Sequence, residues 1–177
     1  MNKQSRFYSH GVRVAALTLA LAATGKAIAA DATATSTGTV VSPIAISKSA
    51  DLAFGSFASG AAVGSVTVSP NGVRAVSGGV IGMAGATTAA QFDVTGNAGS
   101  TYSISLGGTT ELTSGANSMA FTPVSDLTAS AITSGSVSTG TLTGGAQSIF
   151  VGGVLTVAAN QPAGTYGGTV VATVNYN

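Results

Sequence analysis

Residues able to carry out acid–base or nucleophilic chemistry are few in this chain and lie far apart. Among its 177 residues there is one histidine, His10, and no cysteine. Serine and threonine are abundant, but a serine nucleophile needs a neighbouring base to accept its proton. Beyond residue 30 the only lysine is Lys48, and a solvated lysine at a strand end explains it as well as a Ser–Lys pair does. The sequence therefore offers no nucleophile and base at a spacing typical of a hydrolase.

The acidic residues form no recognisable metal-binding or acid–base pattern. Asp51, Asp93, Glu111 and Asp126 are isolated from one another in the sequence, so a carboxylate pair could form only through the fold. A calcium site needs several clustered oxygen ligands, and no D-x-D-x-D run is present. The paired glycines lack the Lys-Ser/Thr that completes a phosphate-binding loop. We accordingly predict a protein that is not an enzyme, with no catalytic residue, no cofactor and no metal ligand.

The first thirty residues have the composition of a secretory signal peptide. Three basic residues precede an apolar run over 14–24, and a small-x-small pattern ends at Ala29. We predict cleavage after Ala29 or Ala30. A transmembrane anchor is the alternative, but a spanning helix needs about 20 apolar residues, more than this run provides.

Export would leave a chain with little charge and no disulfide. Residues 31–177 carry two basic and five acidic side chains, a net charge of −3. This set contains no basic patch for nucleic acid or anionic lipid, so we predict no nucleic-acid partner and no integral membrane segment in the mature chain. Without cysteine, the exported fold must depend on core packing. Roughly 150 residues suffice for one domain with a core of its own.

The last stretch of the chain is the clearest element on which a function could depend. From Tyr166 to Tyr176 the residues alternate, and polar side chains such as Thr173 and Asn175 occupy the second face. Strand side chains repeat every two residues, so this pattern predicts a half-buried β-strand. Its apolar face consists of Tyr166, Gly168, Val170, Ala172, Val174 and Tyr176. Because the sequence stops at Asn177, we expect an earlier segment or a second chain to cover this strand.

Strand-like alternation recurs through the rest of the chain. The segments 66–68 and 73–76 flank Asn71-Gly72, a dipeptide typical of a two-residue type I′ hairpin turn. We predict a second hairpin from 90–95 and 101–106. Pro43 has no amide hydrogen to donate, so a strand over 40–47 is expected at a sheet edge or interrupted. Further strands are predicted over 51–57, 118–124, 127–132 and 147–158, the last with a bulge or bend at Gly152-Gly153.

About eight to ten short strands with frequent turn signals indicate an all-β sandwich, mostly antiparallel. The alternative is a disordered low-complexity chain, but such chains are poor in the β-branched and aromatic residues that recur here at strand spacing. We expect these aromatics to form a core rather than a ligand platform. The predicted organisation is a signal peptide over 1–30, a flexible extension over 31–39 and a sandwich domain over 40–177.

Several short motifs resemble a family of secreted bacterial proteins known as domain of unknown function 4402. The motifs are Val41-Ser42-Pro43-Ile44, Asp51-Leu52-Ala53-Phe54-Gly55, Val68-Ser69-Pro70-Asn71-Gly72, the 158–166 segment AANQPAGTY, and Val174-Asn175-Tyr176-Asn177. That family is similar in turn to subunits of the archaic chaperone–usher fimbriae and to spore-coat-U-like proteins, which end in a comparable alternating strand. The resemblance implies an immunoglobulin-like sandwich in the periplasm or at the cell surface of a Gram-negative bacterium.

The resemblance also implies a mode of assembly. In such pilins a groove beside the final strand is filled first by a periplasmic chaperone and later by the N-terminal extension of the next subunit. By position, the donor face would be Ala32, Ala34, Ser36, Gly38 and Val40, and the acceptor strand would present Tyr166, Val170, Ala172, Val174 and Tyr176. Four of the five donor residues are small, and small side chains gain little from burial. Donation would therefore depend mainly on main-chain hydrogen bonds.

We therefore expect an exported structural subunit, fimbrial or surface-coat-like, that assembles by strand complementation into a homo-polymer with the help of a periplasmic chaperone and usher. The first alternative is a self-complete secreted binding or adhesion domain, whose own strand over 39–47 covers the terminal strand. A small outer-membrane β-barrel is the second alternative, and the lack of aromatic girdles argues against it.

Overall fold

The computed structural model describes residues 28–177, and the chain divides into a unit over Met1–Gly38 and a unit over Thr39–Asn177. In the first unit the described residues, 28–38, form no helix or strand and expose their side chains. The predicted signal peptide lies outside the described residues except for 28–30, so it remains a prediction. Its two candidate cleavage residues, Ala29 and Ala30, are exposed.

The second unit is built from ten β-strands and one 3₁₀ turn, Thr143–Gly145. The strands are β1 (Ala45–Ala50), β2 (Phe57–Val68), β3 (Arg74–Gly82), β4 (Ala90–Thr95), β5 (Thr101–Gly108), β6 (Glu111–Ser114), β7 (Asn117–Asp126), β8 (Thr139–Thr141), β9 (Ala146–Val157) and β10 (Val170–Tyr176). Every strand pair is antiparallel. Over the range that the structure describes, no helix has the length and apolar character to cross a membrane.

The strands form two sheets. The larger one has the order β1-β4-β9-β2-β3, with β7 paired to β9 and β6 paired to β7, while the smaller one has the order β10-β5-β8. β9 organises the larger sheet, because its first half pairs with β4 and its second half with β2. β7 pairs across Gly152 and Gly153 without a register shift, so the predicted bulge is absent. The two glycines instead leave room for the Val68 carbonyl and the Phe121 ring, with which an added Cβ would collide.

Two clusters of buried side chains hold the sheets together. The first joins β4 and β9 of the larger sheet to β5 and β10 of the smaller one; it includes Val94, Tyr102, Ile149 and Val151, all fully buried, and Val174. The second lies under β2, β3, β7 and the end of β9, and its members are Phe54, Val66, Val68, Val80, Met119, Phe121, Leu155 and Val157. Each fully buried aliphatic side chain contributes about 1.5–3 kcal/mol. The predicted all-β sandwich of antiparallel sheets is confirmed.

The predicted hairpin of 90–95 with 101–106 is wrong. β4 pairs with β1 and β9 in the larger sheet, whereas β5 pairs with β10 and β8 in the smaller one. The apolar faces were predicted correctly, since Phe92 and Val94 on β4 and Tyr102 and Ile104 on β5 are buried. Because both faces need cover, the Gly96–Gly99 connection carries the chain from one sheet to the other, where the two faces pack against each other.

The hairpin around Asn71-Gly72 is confirmed, but its predicted turn type is wrong. The strands are joined by the three-residue loop 70–72, closed by a hydrogen bond from the Ser69 amide to the Val73 carbonyl. Gly72 has a φ of 81°, whereas a type I′ turn requires positive φ at Asn71 as well. Pro70 favours a type I turn followed by a left-handed glycine, and this arrangement adds one residue to the loop.

Several predicted strand bounds also change. The first strand begins at Ala45 rather than at residue 40 and does lie at a sheet edge. The segment 51–56 forms no strand, because Gly55 takes a φ of 67° and Ala53 makes only an isolated bridge to Thr88. The segment 127–132 is a loop, and the final strand begins at Val170, four residues after Tyr166.

Candidate functional site

Two strand edges without a neighbour flank a groove in the sandwich. Among the described strands β10 pairs only with β5, and β1 pairs only with β4. These two edge strands, one from each sheet, approach each other. Beside them lies a groove of about 1130 Å³, lined from Lys48 and Ala50 on one side to Thr169 and Val170 on the other.

The floor of this groove is apolar. It is formed by Phe54, Phe92, Met119, Phe121 and Leu155, which come from both core clusters and are each at most 9% exposed. The rings of Phe54 and Phe121 meet edge to face, with centroids 6.1 Å apart and planes at 86°, the geometry that aromatic pairs favour. An occupant of the groove would therefore contact the hydrophobic core itself.

The segment 52–59 forms one wall, and a single arginine fixes it. Arg74 Nη1 donates hydrogen bonds to the carbonyl oxygens of Phe54 and Ser56 at 3.0 and 2.9 Å, and Nη2 donates to that of Met83 at 2.6 Å. Gly55 permits this approach, because a Cβ at this position would lie 2.7 Å from Nη1. Three donors of one planar guanidinium thus hold three carbonyls that are distant from Arg74 in the sequence.

Glycines allow the strands behind this wall to approach closely. β2 has a four-residue irregularity between Ser59 and Gly64, opposite Gly79 of β3. A Cβ added to Gly60 would lie 2.6 Å from the Gly79 carbonyl oxygen, and one added to Gly79 would collide with the Ala62 carbonyl. Only residues without a side chain fit where these two backbones meet. The glycine-rich composition of this region therefore has a steric cause.

The segment 161–168 forms the opposite wall and is fixed by Tyr166. The Tyr166 hydroxyl donates to the Pro162 carbonyl at 2.8 Å and accepts from Gln161 Nε2 at 2.8 Å. Ser59 Oγ donates to the Gln161 carbonyl at 2.9 Å, which joins this wall to the segment 52–59. Tyr166 was predicted as part of the terminal strand. It belongs instead to the loop before that strand, and only Gly167 makes an isolated bridge, to Thr113.

At the Tyr176 end of β10, the first residues of the domain cover the strand. The Tyr176 hydroxyl donates to the Ser42 carbonyl at 2.8 Å and accepts from the Asn97 amide at 2.6 Å. Ile44 and Ile46 pack against the same core cluster as Tyr176. The seam between β1 and β10 is therefore shut near Tyr176 and open near Val170.

Four of the five residues predicted as acceptor strand, all except Tyr166, lie on one face of β10. Val174 is buried, Val170, Ala172 and Tyr176 are half-buried, and the alternate residues are exposed. Of the predicted donor residues, Ala32, Ala34, Ser36 and Gly38 lie in the described stretch 28–38, which forms no strand, and Val40 is 99% exposed. Sequence reasoning missed Arg74, the floor residues and the wall at 52–59, because these come together only through long-range packing.

Charged groups are sparse around the groove. Lys48 forms an ion pair with Asp51 at 2.6 Å, with both side chains largely exposed, so its amino group bonds to this carboxylate rather than acting as the base of a serine nucleophile. Hydrogen bonds from Ser49, Ser148 and Gln91 hold the pKa of Asp93 below its ordinary value. In the described part of the chain no three acidic or histidine side chains gather as a metal site. The groove thus fits a segment with little charge rather than a strongly charged ligand.

Comparison with known proteins gives one positive result. The family model described as "Domain of unknown function (DUF4402)" matches residues 44–176, which covers the sandwich from the residue before β1 to the end of β10. No curated protein and no solved structure matches the chain.

Proposed function

The chain belongs to the family described as domain of unknown function DUF4402, and on that premise we propose that it is an exported structural subunit, fimbrial or surface-coat-like, that assembles with its own copies by strand complementation. The observation that carries this proposal is the edge of β10, which no described strand pairs with, beside a groove of about 1130 Å³ whose floor is apolar. An unpaired edge presents amide and carbonyl groups to an added strand, and alternate side chains of that strand can enter a neighbouring pocket.

The donor is the segment 31–40 of another copy. Ten extended residues span at most about 33–36 Å, whereas the seven residues of β10 extend over about 24 Å. The segment is therefore long enough to pair with the whole edge. It carries one acidic residue, Asp31, and its single large apolar side chain is Val40. Main-chain hydrogen bonds would supply most of the binding, with Val40 adding apolar contact.

Strand complementation also defines the partners of the protein. Before assembly the groove would be exposed, and a long apolar edge is prone to aggregation. A periplasmic chaperone that lends a strand, and an usher that exchanges it for the next donor, would solve this difficulty. This part of the proposal extends the likeness to chaperone–usher subunits described above.

The test uses two variants of the exported chain that each disable one half of the contact. Deletion of 31–39 removes the donor. Ala50→Arg places a long charged side chain at the groove, which Ala50 lines, and Ser47→Arg is the matched control, exposed on the same strand. Analytical ultracentrifugation should show chains for the unmodified protein and the control, and no chains for either variant.

Mixing the two variants provides the sharper result. The intact donor of the Ala50→Arg protein should enter the intact groove of the deletion protein, so the mixture should form heterodimers and nothing longer. A protein that stays monomeric at all concentrations, with or without the deletion, would overturn the proposal.

That outcome would favour a second candidate function, a self-complete binding or adhesion domain. The observation behind it is the closed end of the seam, where Tyr176 bonds to the Ser42 carbonyl and Ile44 and Ile46 cover the core. The sequence-based form of this alternative had the strand over 39–47 cover the terminal strand. In the structure β1 pairs with β4 and not with the terminal strand. A monomer with a single cooperative unfolding transition is its expected signature.

A further inference from the structure

The larger sheet ends at β3, a free edge that lies outside the groove and that the proposed function does not use. Among the described strands it pairs only with β2. With nine residues it is longer than the other edge strands, since β1 has six, β6 four, β8 three and β10 seven. A free edge of this length can accept another strand unless the sequence prevents it.

Charge and proline, two of the common protections of a sheet edge, are missing from most of β3. Natural edges carry charged side chains or proline, as β1 carries Lys48 and β6 begins with Glu111. The stretch 75–82 contains neither a charge nor a proline. Arg74 provides the one charge of the strand, and its guanidinium is bonded to three carbonyl oxygens of the groove wall.

The core under β3 is also incompletely covered. Val66 of β2 and Val76 of β3 are directly opposite each other and share a face of the sheet. Val66 is fully buried, whereas Val76 is 39% exposed. The difference arises because β2 has a neighbour on each side and β3 has only one. A strand added beside β3 would cover the exposed part of Val76.

We propose that the outer edge of β3 is a self-association surface, which pairs antiparallel with β3 of a second copy around a two-fold axis at Val76. The pairing covers 75–77, the part of β3 before Gly78, which takes a φ of 63°, and before the close glycine contact at Gly79. Val76 then faces Val76 of the partner, and Ala75 faces the partner's Ser77. This arrangement is isologous, with the same surface on both copies.

Charge identifies a second copy as the occupant. Two-fold pairing at Val76 sets the exposed, uncovered Val76 of one copy against Val76 of the other, so the second copy itself supplies the apolar neighbour, and a charge at the axis would instead meet like charge, which destabilises a strand pair. The exposed residues Ala75, Val76 and Ser77 are all uncharged. A different protein would find neither a charge nor a pocket on this edge to distinguish it. The inference is independent of strand donation, because it uses another edge of the domain.

The first experiment tests the edge with charge reversal in the full exported chain. One variant carries Ala75→Lys and Ser77→Lys, the other Ala75→Glu and Ser77→Glu. Each alone should weaken side-by-side pairing by about tenfold or more, because four like charges meet. An equimolar mixture of the two should restore pairing, measured as mass per length in scanning transmission electron microscopy or as dimer in ultracentrifugation. Thr122→Lys with Thr156→Lys, exposed on β7 and β9, is the control and should pair like the unmodified protein.

The second experiment uses the absence of cysteine from the sequence. A Val76→Cys protein should form a disulfide-linked dimer on mild oxidation, whereas Thr156→Cys should not. Charge variants that associate like the unmodified protein, a mixture that does not restore pairing, or equal cross-linking at both cysteines would each overturn the proposal. Loss of chain growth on deletion of 31–39 would be unaffected by any of these results, so the two proposals fail separately.

Discussion

Replacement of Arg74 tests how the groove wall is held. Arg74→Met keeps most of the aliphatic stem and removes the three hydrogen bonds to the carbonyls of Phe54, Ser56 and Met83. Hydrogen bonds to a charged group contribute about 1.5–3 kcal/mol each when buried, and two of these three are exposed to solvent. We therefore expect a loss of about 2–4 kcal/mol in the free energy of unfolding, because solvent replaces part of each bond.

The assay is urea denaturation combined with thermal unfolding. A loss of this size lowers the Tm of a domain with roughly 150 residues by about 5–15 °C. The Tm of Arg74→Lys should fall between those of the unmodified protein and Arg74→Met, since an ammonium group cannot reach three separated carbonyls as a planar guanidinium does. Lys48→Met is the control, because it removes an exposed ion pair that is worth about 0.2–1 kcal/mol.

Hydrogen exchange supplies a readout that is specific to the wall. In the Arg74→Met protein the amides of 54–57 should exchange faster than those of β4, because the wall loosens before the core unfolds. The reasoning is refuted if Arg74→Met costs no more than Lys48→Met. It is also refuted if stability falls while the exchange of the wall follows global unfolding in both proteins.

Three further substitutions give distinct expectations. Tyr176→Phe removes the hydroxyl bonded to Ser42 and should cost about 1–2 kcal/mol in urea denaturation; an unchanged midpoint would contradict the closed seam. Gly79→Ala forces a Cβ against the Ala62 carbonyl and should lower the free energy of unfolding by about 2 kcal/mol or more. A cooperative transition at the original Tm would disprove this. Asp93 has a lowered pKa, so its stabilisation is complete above its ordinary pKa of 3.8 and is lost as pH falls through the lowered value. The difference in free energy of unfolding between the unmodified protein and Asp93→Asn should disappear as pH falls through the lowered pKa of Asp93. A difference that does not change with pH would contradict this expectation.

The sequence predicts the parts of the fold that depend on local alternation. The two-residue period over 170–176, 118–124 and 147–157 is set by which face of each strand is buried, and these strands are present. The weak strands β6 and β8 were missed, because residues such as Thr, Ser and Gly give no contrast between faces. Periodicity identifies a strand without identifying its partner, so β4 and β5 were paired with each other incorrectly.

The groove was harder to predict than the strand beside it. Tyr166–Tyr176 indicated an apolar face that needs cover, and Val170 does line the groove. Arg74 gave only a weak signal, since its three carbonyl partners lie at positions 54, 56 and 83 and any residue supplies a carbonyl. A lone arginine between uncharged strands is a weak indication of such a role. Floor residues from four different segments can be assigned only once the sheets are packed.

The antiparallel pairing of β1 with β4 determines how the domain would respond to a pulling force. Tension applied at Val40 along β1 pulls this strand lengthwise past β4, so that the hydrogen bonds between 45–50 and 91–95 are loaded together in shear. The bond between Tyr176 and Ser42 stands ahead of them and would break first. Resistance to rupture is a matter of the unfolding rate rather than of equilibrium stability. If the protein assembles as proposed, each subunit under tension would therefore lose the Tyr176 contact before its sheets separate.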